Sequence, residues 1–278
     1  MTVADQNPPS VRTGSPVLEA RGVSCAFGQR TAVDDVSLAL YPGTITALVG
    51  ESGSGKTTLA RLFALFYRPS AGEILLDGKP VSARGRKVDY YGQVQMIFQD
   101  PFSSLNSLKR IRHVLSRALA VHGKASGRRE TDAKVVEFLE RVSLTPGSQY
   151  LDKYPDELSG GQRQRISIAR SLSVEPRVLL ADEPTSMLDA SIRVGILNLL
   201  RKQRDEEGLA VLYITHDIAS ARYLADEICV MKDGRIVERA PTEQLITDPQ
   251  HPYTQQLLAA APDPSRTAWA SNPEGEVR

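Results

Sequence analysis

The chain has 278 residues, 41% hydrophobic and 24% charged, with a formal net charge of +1. That suits one large soluble domain or a core with a subdomain, and the near-neutral charge marks neither nucleic acid nor an anionic lipid surface as the partner. Its two cysteines, Cys25 and Cys229, lie far apart without C-x-x-C spacing, which argues against a disulfide framework or a zinc site and fits a reducing compartment.

Residues 1–16 are polar and carry Pro8, Pro9 and Pro16, so they read as a disordered tail with no secretory signal. No apolar run approaches the eighteen or so residues that span a bilayer, which predicts a cytoplasmic protein whose membrane role runs through a partner. Residues 17–27 and 36–40 read as strands, the second with Val36, Leu38 and Leu40 on one face. A turn at Tyr41-Pro42-Gly43 ends it. The apolar run 45–49 reads as another strand, and after a glycine-rich loop Leu59, Leu62, Phe63 and Phe66 follow a helical period. Residues 73–76 with Asp77-Gly78 predict one arm of a hairpin, and residues 79–93 a surface loop that could hold a short helix.

Residues 94–98 read as a buried strand that stops at Gln99-Asp100-Pro101. Leu108, Ile111, Leu115 and Leu119, then Val135, Val136, Leu139 and Val142, recur at helical spacing with no strand between them. That is the pattern of a helical insertion, from about residue 100 to about 172, in an α/β core. The core resumes with a strand at 178–182, a helix at 191–204, a strand at 210–214, a helix beyond Asp217 and a hairpin around Asp233-Gly234. Strands alternating with helices predict a parallel sheet. Helical stretches near 242–246 and 253–260 and a polar tail over 261–278 complete the chain.

The loop Gly50-Glu51-Ser52-Gly53-Ser54-Gly55-Lys56-Thr57-Thr58 fits G-x-x-x-x-G-K-[ST] between a strand and a helix, the context in which that pattern binds phosphate. Its glycines let the backbone curl so that successive N–H groups form a nest for phosphate oxygens. Lys56 would reach the terminal phosphates, Thr57 would hold Mg²⁺, and the helix start would turn its positive end to the anion. The strand 178–182 ends in Asp182, which can reach a Mg²⁺ shell, and Glu183 beside it can act as general base on the attacking water. Ser159, Gly160, Gly161 and Gln162 open a helix. Ser159 and Gln162 have capping-box spacing, and the glycines leave room for a phosphate at the helix end.

The ordered set Phe27, Gly50 to Thr58, Gln99, Leu158 to Gln162, the strand 178–183, Ser186 to Asp189 and His216 resembles the ATP-binding cassette of ABC transporters over roughly residues 17–260. The resemblance implies a P-loop NTPase (RecA-like) α/β core with an antiparallel β subdomain and an inserted α-helical subdomain. It also implies roles. Phe27 stacks on adenine, Gln99 senses Mg²⁺ and the γ-phosphate near the membrane subunits, His216 contacts the γ-phosphate, and Asp189 belongs to the D-loop. Thr57, Gln99 and Asp182 serve Mg²⁺, Asp182 through water. Ser159, Gly160, Gly161 and Gln162 form the signature, which faces the nucleotide of a second cassette, so ATP is sandwiched between two chains. The D-loop reads Ser186-Met187-Leu188-Asp189, with methionine where the family commonly has alanine.

The segments Phe98-Gln99-Asp100-Pro101-Phe102-Ser103-Ser104-Leu105-Asn106 and Thr247-Asp248-Pro249-Gln250-His251-Pro252-Tyr253-Thr254-Gln255-Gln256-Leu257-Leu258 resemble those of ATPase subunits of bacterial dipeptide and oligopeptide importers. The resemblance implies ATP and Mg²⁺, two transmembrane permeases, an extracytoplasmic substrate-binding protein, and a second ATPase chain, a heterodimer being favoured over a homodimer. It places the protein at the cytoplasmic face of the plasma membrane. Some relatives carry a C-terminal cysteine cluster for an iron-sulfur site; with no cysteine after Cys229, none is predicted here. Peptide, nickel and oligosaccharide remain open as cargo. An exporter ATPase differs mainly in the C-terminal segment, and a soluble ABC ATPase working on nucleic acid is disfavoured by the absence of sustained heptads.

Overall fold

The computed structural model describes residues 14–81, 87–100, 105–186 and 188–260. The expected tails, apart from residues 14–16, lie outside the described residues, as do Met187 and residues 101–104. Two sheets organise the rest. Strands β1 (Leu18–Phe27), β2 (Arg30–Leu40), β4 (Ala71–Leu76) and β5 (Lys79–Pro80) form an antiparallel sheet in the order β2-β1-β4-β5. Val36, Leu38 and Leu40 are buried as the alternation requires, and the strand starts six residues earlier than expected, at Arg30.

The second sheet has the order β10-β9-β3-β8-β7-β6, from β3 (Ile45–Val49), β6 (Val94–Ile97), β7 (Val178–Asp182), β8 (Ala210–Thr215), β9 (Glu227–Lys232) and β10 (Arg235–Pro241). All are parallel except the edge strand β10, which returns from β9 as a hairpin. β3, β7 and β8 are buried along their whole length, so they read as continuous apolar runs rather than alternating ones. Their two faces feed two cores. Ile45, Ala47, Val49, Leu179, Ala181, Val211 and Tyr213 pack with the helices, whereas Leu48, Leu180 and Leu212 pack toward the antiparallel sheet and α1 (Lys56–Phe63).

Between β6 and β7 lie α3 (Ile111–Val121), α4 (Arg128–Arg141) and α5 (Gly160–Leu172), and the buried Ile111, Leu115, Leu119, Val135, Phe138, Leu139 and Ile166 join the first core. Further helices are α2 (Lys87–Gln93) in the stretch read as a loop, α6 (Ala190–Glu207), α7 (Ile218–Leu224), α8 (Thr242–Thr247) and α9 (Pro252–Ala260). Among the described residues no helix is long and apolar enough to cross a membrane.

Two periodic assignments are corrected. Phe66 does not extend the buried face of α1, because the helix ends at Phe63 and Leu65 adopts a left-handed φ of 56°. Its ring is 49% exposed and stacks on Phe98. Leu108 is 81% exposed and precedes α3, because Asn106 accepts the Leu108 N–H on its side chain at 2.9 Å and the Lys109 N–H on its carbonyl at 3.0 Å, a local turn that competes with the helix.

Candidate nucleotide site

Because β3, β6, β7 and β8 run parallel and in register, their carboxyl ends meet along one edge, where ligands of open α/β sheets bind. Gly50 follows β3, Gln99 lies two residues past β6, Glu183 follows β7, and His216 follows β8. The loop from Gly50 to the start of α1 needs glycine at two points. A Cβ on Gly50, at φ 154°, would lie 2.2 Å from the Met231 carbonyl oxygen, and one on Gly55, at φ 109°, 2.2 Å from that of Ala32. Neither position has room for a side chain, so the backbone is pressed between β9 and β2 with its other side open to a ligand.

Lys56 is buried and its Nζ donates to the carbonyls of Gly50 and Glu51, both at 2.7 Å, and to Ser54 Oγ at 3.4 Å. Burial pushes its ammonium below the ordinary lysine range, opposed by the carboxylates of Glu183, Asp182 and Glu51. A phosphate arriving there would relieve that desolvation. Thr57 Oγ1 donates to Asp182 Oδ1 at 3.0 Å, and burial raises the Asp182 carboxyl above its usual range. A hydroxyl beside a buried carboxylate is a hard-oxygen donor set that suits Mg²⁺. Among the described residues no group of three or more His, Cys, Asp or Glu is arranged to hold a metal, so an ion here would also need the nucleotide's own oxygens.

Glu183 joins the other strand ends. Its carboxylate accepts from Gln99 Nε2 at 3.1 Å and lies 3.2 Å from His216 Nδ1. Its backbone N–H donates to Ile214 of β8 at 3.0 Å, and its φ of 45° is a conformation that a non-glycine residue holds only under constraint. The Glu183 side chain is 17% exposed and His216 is 61% exposed, so water can reach both.

Phe27 ends β1. Its ring is 49% exposed and meets Tyr67 edge to face at 5.1 Å, which makes it a surface aromatic and not a core residue. The hairpin it opens is tied to the loop through Arg30 Nη2, which donates to the Gly53 carbonyl at 3.3 Å. The signature residues stand apart. Ser159 caps α5 in a reciprocal capping box with Gln162, and among the described residues no hydrogen bond joins residues 159–162 to residues 50–58. A Cβ on Gly161 would meet Ile192 Cγ2 at 2.8 Å, but one on Gly160 would meet nothing within 4 Å. Asp189 precedes α6 without a side-chain cap, and Met187 beside it lies outside the described residues.

Sequence reasoning did not assign Arg30 or Tyr253 to this site. The Tyr253 hydroxyl accepts the Glu51 backbone N–H at 3.0 Å across 202 residues of chain, and no local pattern announces such a contact.

The strand–loop–helix and the carboxylates facing it define a phosphate-loop nucleotide-binding protein. Comparison narrows the class: residues 33–186 match the family model "ABC transporter" and residues 237–278 the model "Oligopeptide/dipeptide transporter, C-terminal region". The chain is 43% identical over 255 residues to the oligopeptide transport ATP-binding protein OppF of Streptococcus mutans, covering 89% of this chain and 82% of that one. It is 42% identical over 276 residues to the dipeptide transport ATP-binding protein DppF of Lactococcus lactis subsp. cremoris, covering 94% and 88%. Among solved structures it resembles the ATP-binding cassette MJ0796, a dimer bound to ADP and Pi, with a TM-score of 0.73 and 27% identity over 81% of this chain and 98% of that one. The chain belongs to the ABC transporter family, as an ATP-binding subunit whose hydrolysis of ATP is coupled to transport.

Proposed function

We propose that this chain is the ATP-hydrolysing subunit of a peptide importer, working at the cytoplasmic face of the membrane with two permeases, a substrate-binding protein and a second, different ATPase chain. The observation that carries the cargo class is the match of residues 237–278 to the oligopeptide and dipeptide transporter C-terminal region. In this reading the N–H groups of Gly53 and of Gly55 to Thr58, together with the Lys56 ammonium, hold the phosphates of ATP, and Phe27 stacks on the base. Thr57, Asp182 and Gln99 serve Mg²⁺, which when bound neutralises charge on the phosphate oxygens. Glu183 takes a proton from the attacking water, while Gln99 and His216 orient its carboxylate and face the terminal phosphate. Purified with its companions in a lipid bilayer, the chain should show ATP hydrolysis stimulated by a loaded peptide-binding protein. Stimulation by nickel or an oligosaccharide, and not by peptide, would overturn the cargo assignment.

Ser159, Gly160, Gly161 and Gln162 serve the partner chain's nucleotide. The open space beyond Gly160 supports this, since among the described residues nothing lies within 4 Å of a Cβ there. Gly160→Ala should leave the thermal stability of the chain within about 0.5 kcal/mol, because alanine suits a helix better than glycine. It should lower ATP turnover of the assembled complex by roughly tenfold or more, since a methyl group would stand where a phosphate must approach. Wild-type turnover in that variant would remove the sandwich.

A further inference from the structure

The C-terminal segment is built to deliver one side chain. Glu238 on β10 accepts the Gln250 N–H at 2.8 Å and the His251 N–H at 3.0 Å on its two carboxylate oxygens. His251 Nδ1 accepts the Tyr253 N–H at 3.1 Å, so the ring caps the first turn of α9. Pro252 occupies the first helical position, where its fixed φ suits the helix and its missing N–H costs nothing. These three residues aim Tyr253 inward, where it is 4% exposed.

Tyr253 then meets the phosphate loop. Its ring lies under Lys232 Nζ, 4.7 Å from the centroid, at the end of β9. The adjacent Met231 supplies the carbonyl that excludes a side chain from Gly50. The phenol oxygen accepts the Glu51 N–H at 3.0 Å. The carbonyl of Glu51 is held as well, accepting from Lys56 Nζ at 2.7 Å and from the Ser54 N–H at 3.2 Å. Both peptide groups flanking Glu51 are therefore anchored, one of them from outside the cassette core. The Glu51 N–H is turned to a phenol and not into the nest.

We propose that Tyr253 is a positioning residue for nucleotide binding: its hydroxyl fixes the first turn of the phosphate loop, so the C-terminal segment pre-shapes the nest that receives the phosphates. This rests on residues 50–58 being the nucleotide site. A loop that visits its competent shape less often binds every phosphate ligand more weakly by the same factor. The loss falls on ground state and transition state alike, so KM rises while kcat holds.

Tyr253→Phe tests the idea, because it keeps the ring and its contact with Lys232 and removes only the hydroxyl, with both its bond from the Glu51 N–H and its interaction with the Glu51 side chain. In the full-length chain the dissociation constants for ATP and ADP, read with a fluorescent nucleotide analogue, should both rise by roughly three- to tenfold, the span of one neutral hydrogen bond. In the assembled transporter kcat at saturating ATP should stay within about twofold. Glu51→Pro removes the donor instead, and in that background Tyr253→Phe should add no further loss. Wild-type affinities in Tyr253→Phe would overturn the proposal, as would a lower nucleotide-free melting temperature with unchanged KM, or an undiminished effect in the Glu51→Pro background. Lys56→Ala, measured alongside, separates the two levels: if it abolishes binding while Tyr253→Phe changes nothing, only the positioning role fails, and if it binds ATP normally the site itself has been misread.

Discussion

Glu183→Gln should bind ATP with near wild-type affinity and hydrolyse it roughly 10²- to 10⁴-fold more slowly, the span that a positioned general base contributes. The replacement is close to isosteric. Its amide oxygen can still accept from Gln99 Nε2 and its backbone N–H can still reach Ile214, so the strand ends stay assembled. What disappears is the capacity to take a proton. ATP would still draw two cassettes together but would not be consumed, and the variant should accumulate as a nucleotide-bound pair, visible by size-exclusion chromatography in the presence of ATP. Turnover within a few-fold of wild type in the purified complex would exclude Glu183 as the base. The strained φ of 45° sharpens the expectation, because a backbone held in an uncommon region at a strand end is a recurrent mark of a residue aimed for function.

Lys56→Ala should weaken ATP binding by at least tenfold and leave no measurable hydrolysis. A charge-assisted hydrogen bond to phosphate contributes about 1.5–3 kcal/mol, and the lysine also supplies charge to the transition state. The ammonium is already desolvated and coordinated by loop carbonyls before any ligand arrives, so the site carries a preorganised positive charge and not a mobile one. Isothermal titration with ATP decides the matter: an unchanged dissociation constant would exclude the loop as the phosphate site.

Much of this was legible because the signals are local. The phosphate loop is nine consecutive residues, and β3, β7 and β8 are short apolar runs closed by polar residues that carry chemistry. The capping box at Ser159 and Gln162 spans one turn, and the structure shows both of its hydrogen bonds. Misreadings came where two local rules competed. Leu108 fits the helical period of α3, yet the Asn106 turn takes the backbone first. Phe66 fits that of α1, yet the left-handed Leu65 ends the helix before it. What could not be read was long-range: that β3 lies between β8 and β9, that Phe27 keeps half its ring exposed, and that Tyr253 touches Glu51. Periodicity reports which face is buried, not against what.

The central position of β3 has a consequence for how the protein is made. Its hydrogen-bonding neighbours, β8 and β9, are translated long after it, and Tyr253 follows Glu51 by 202 residues. At ordinary elongation rates of about 5–20 residues per second, the phosphate loop leaves the ribosome roughly ten to forty seconds before its last contact exists. Until β8 and β9 are made, both edges of a predominantly apolar strand lack partners, so the nascent chain must be shielded or delayed from collapsing. The nucleotide site is among the first parts of the protein to be synthesised and among the last to be finished.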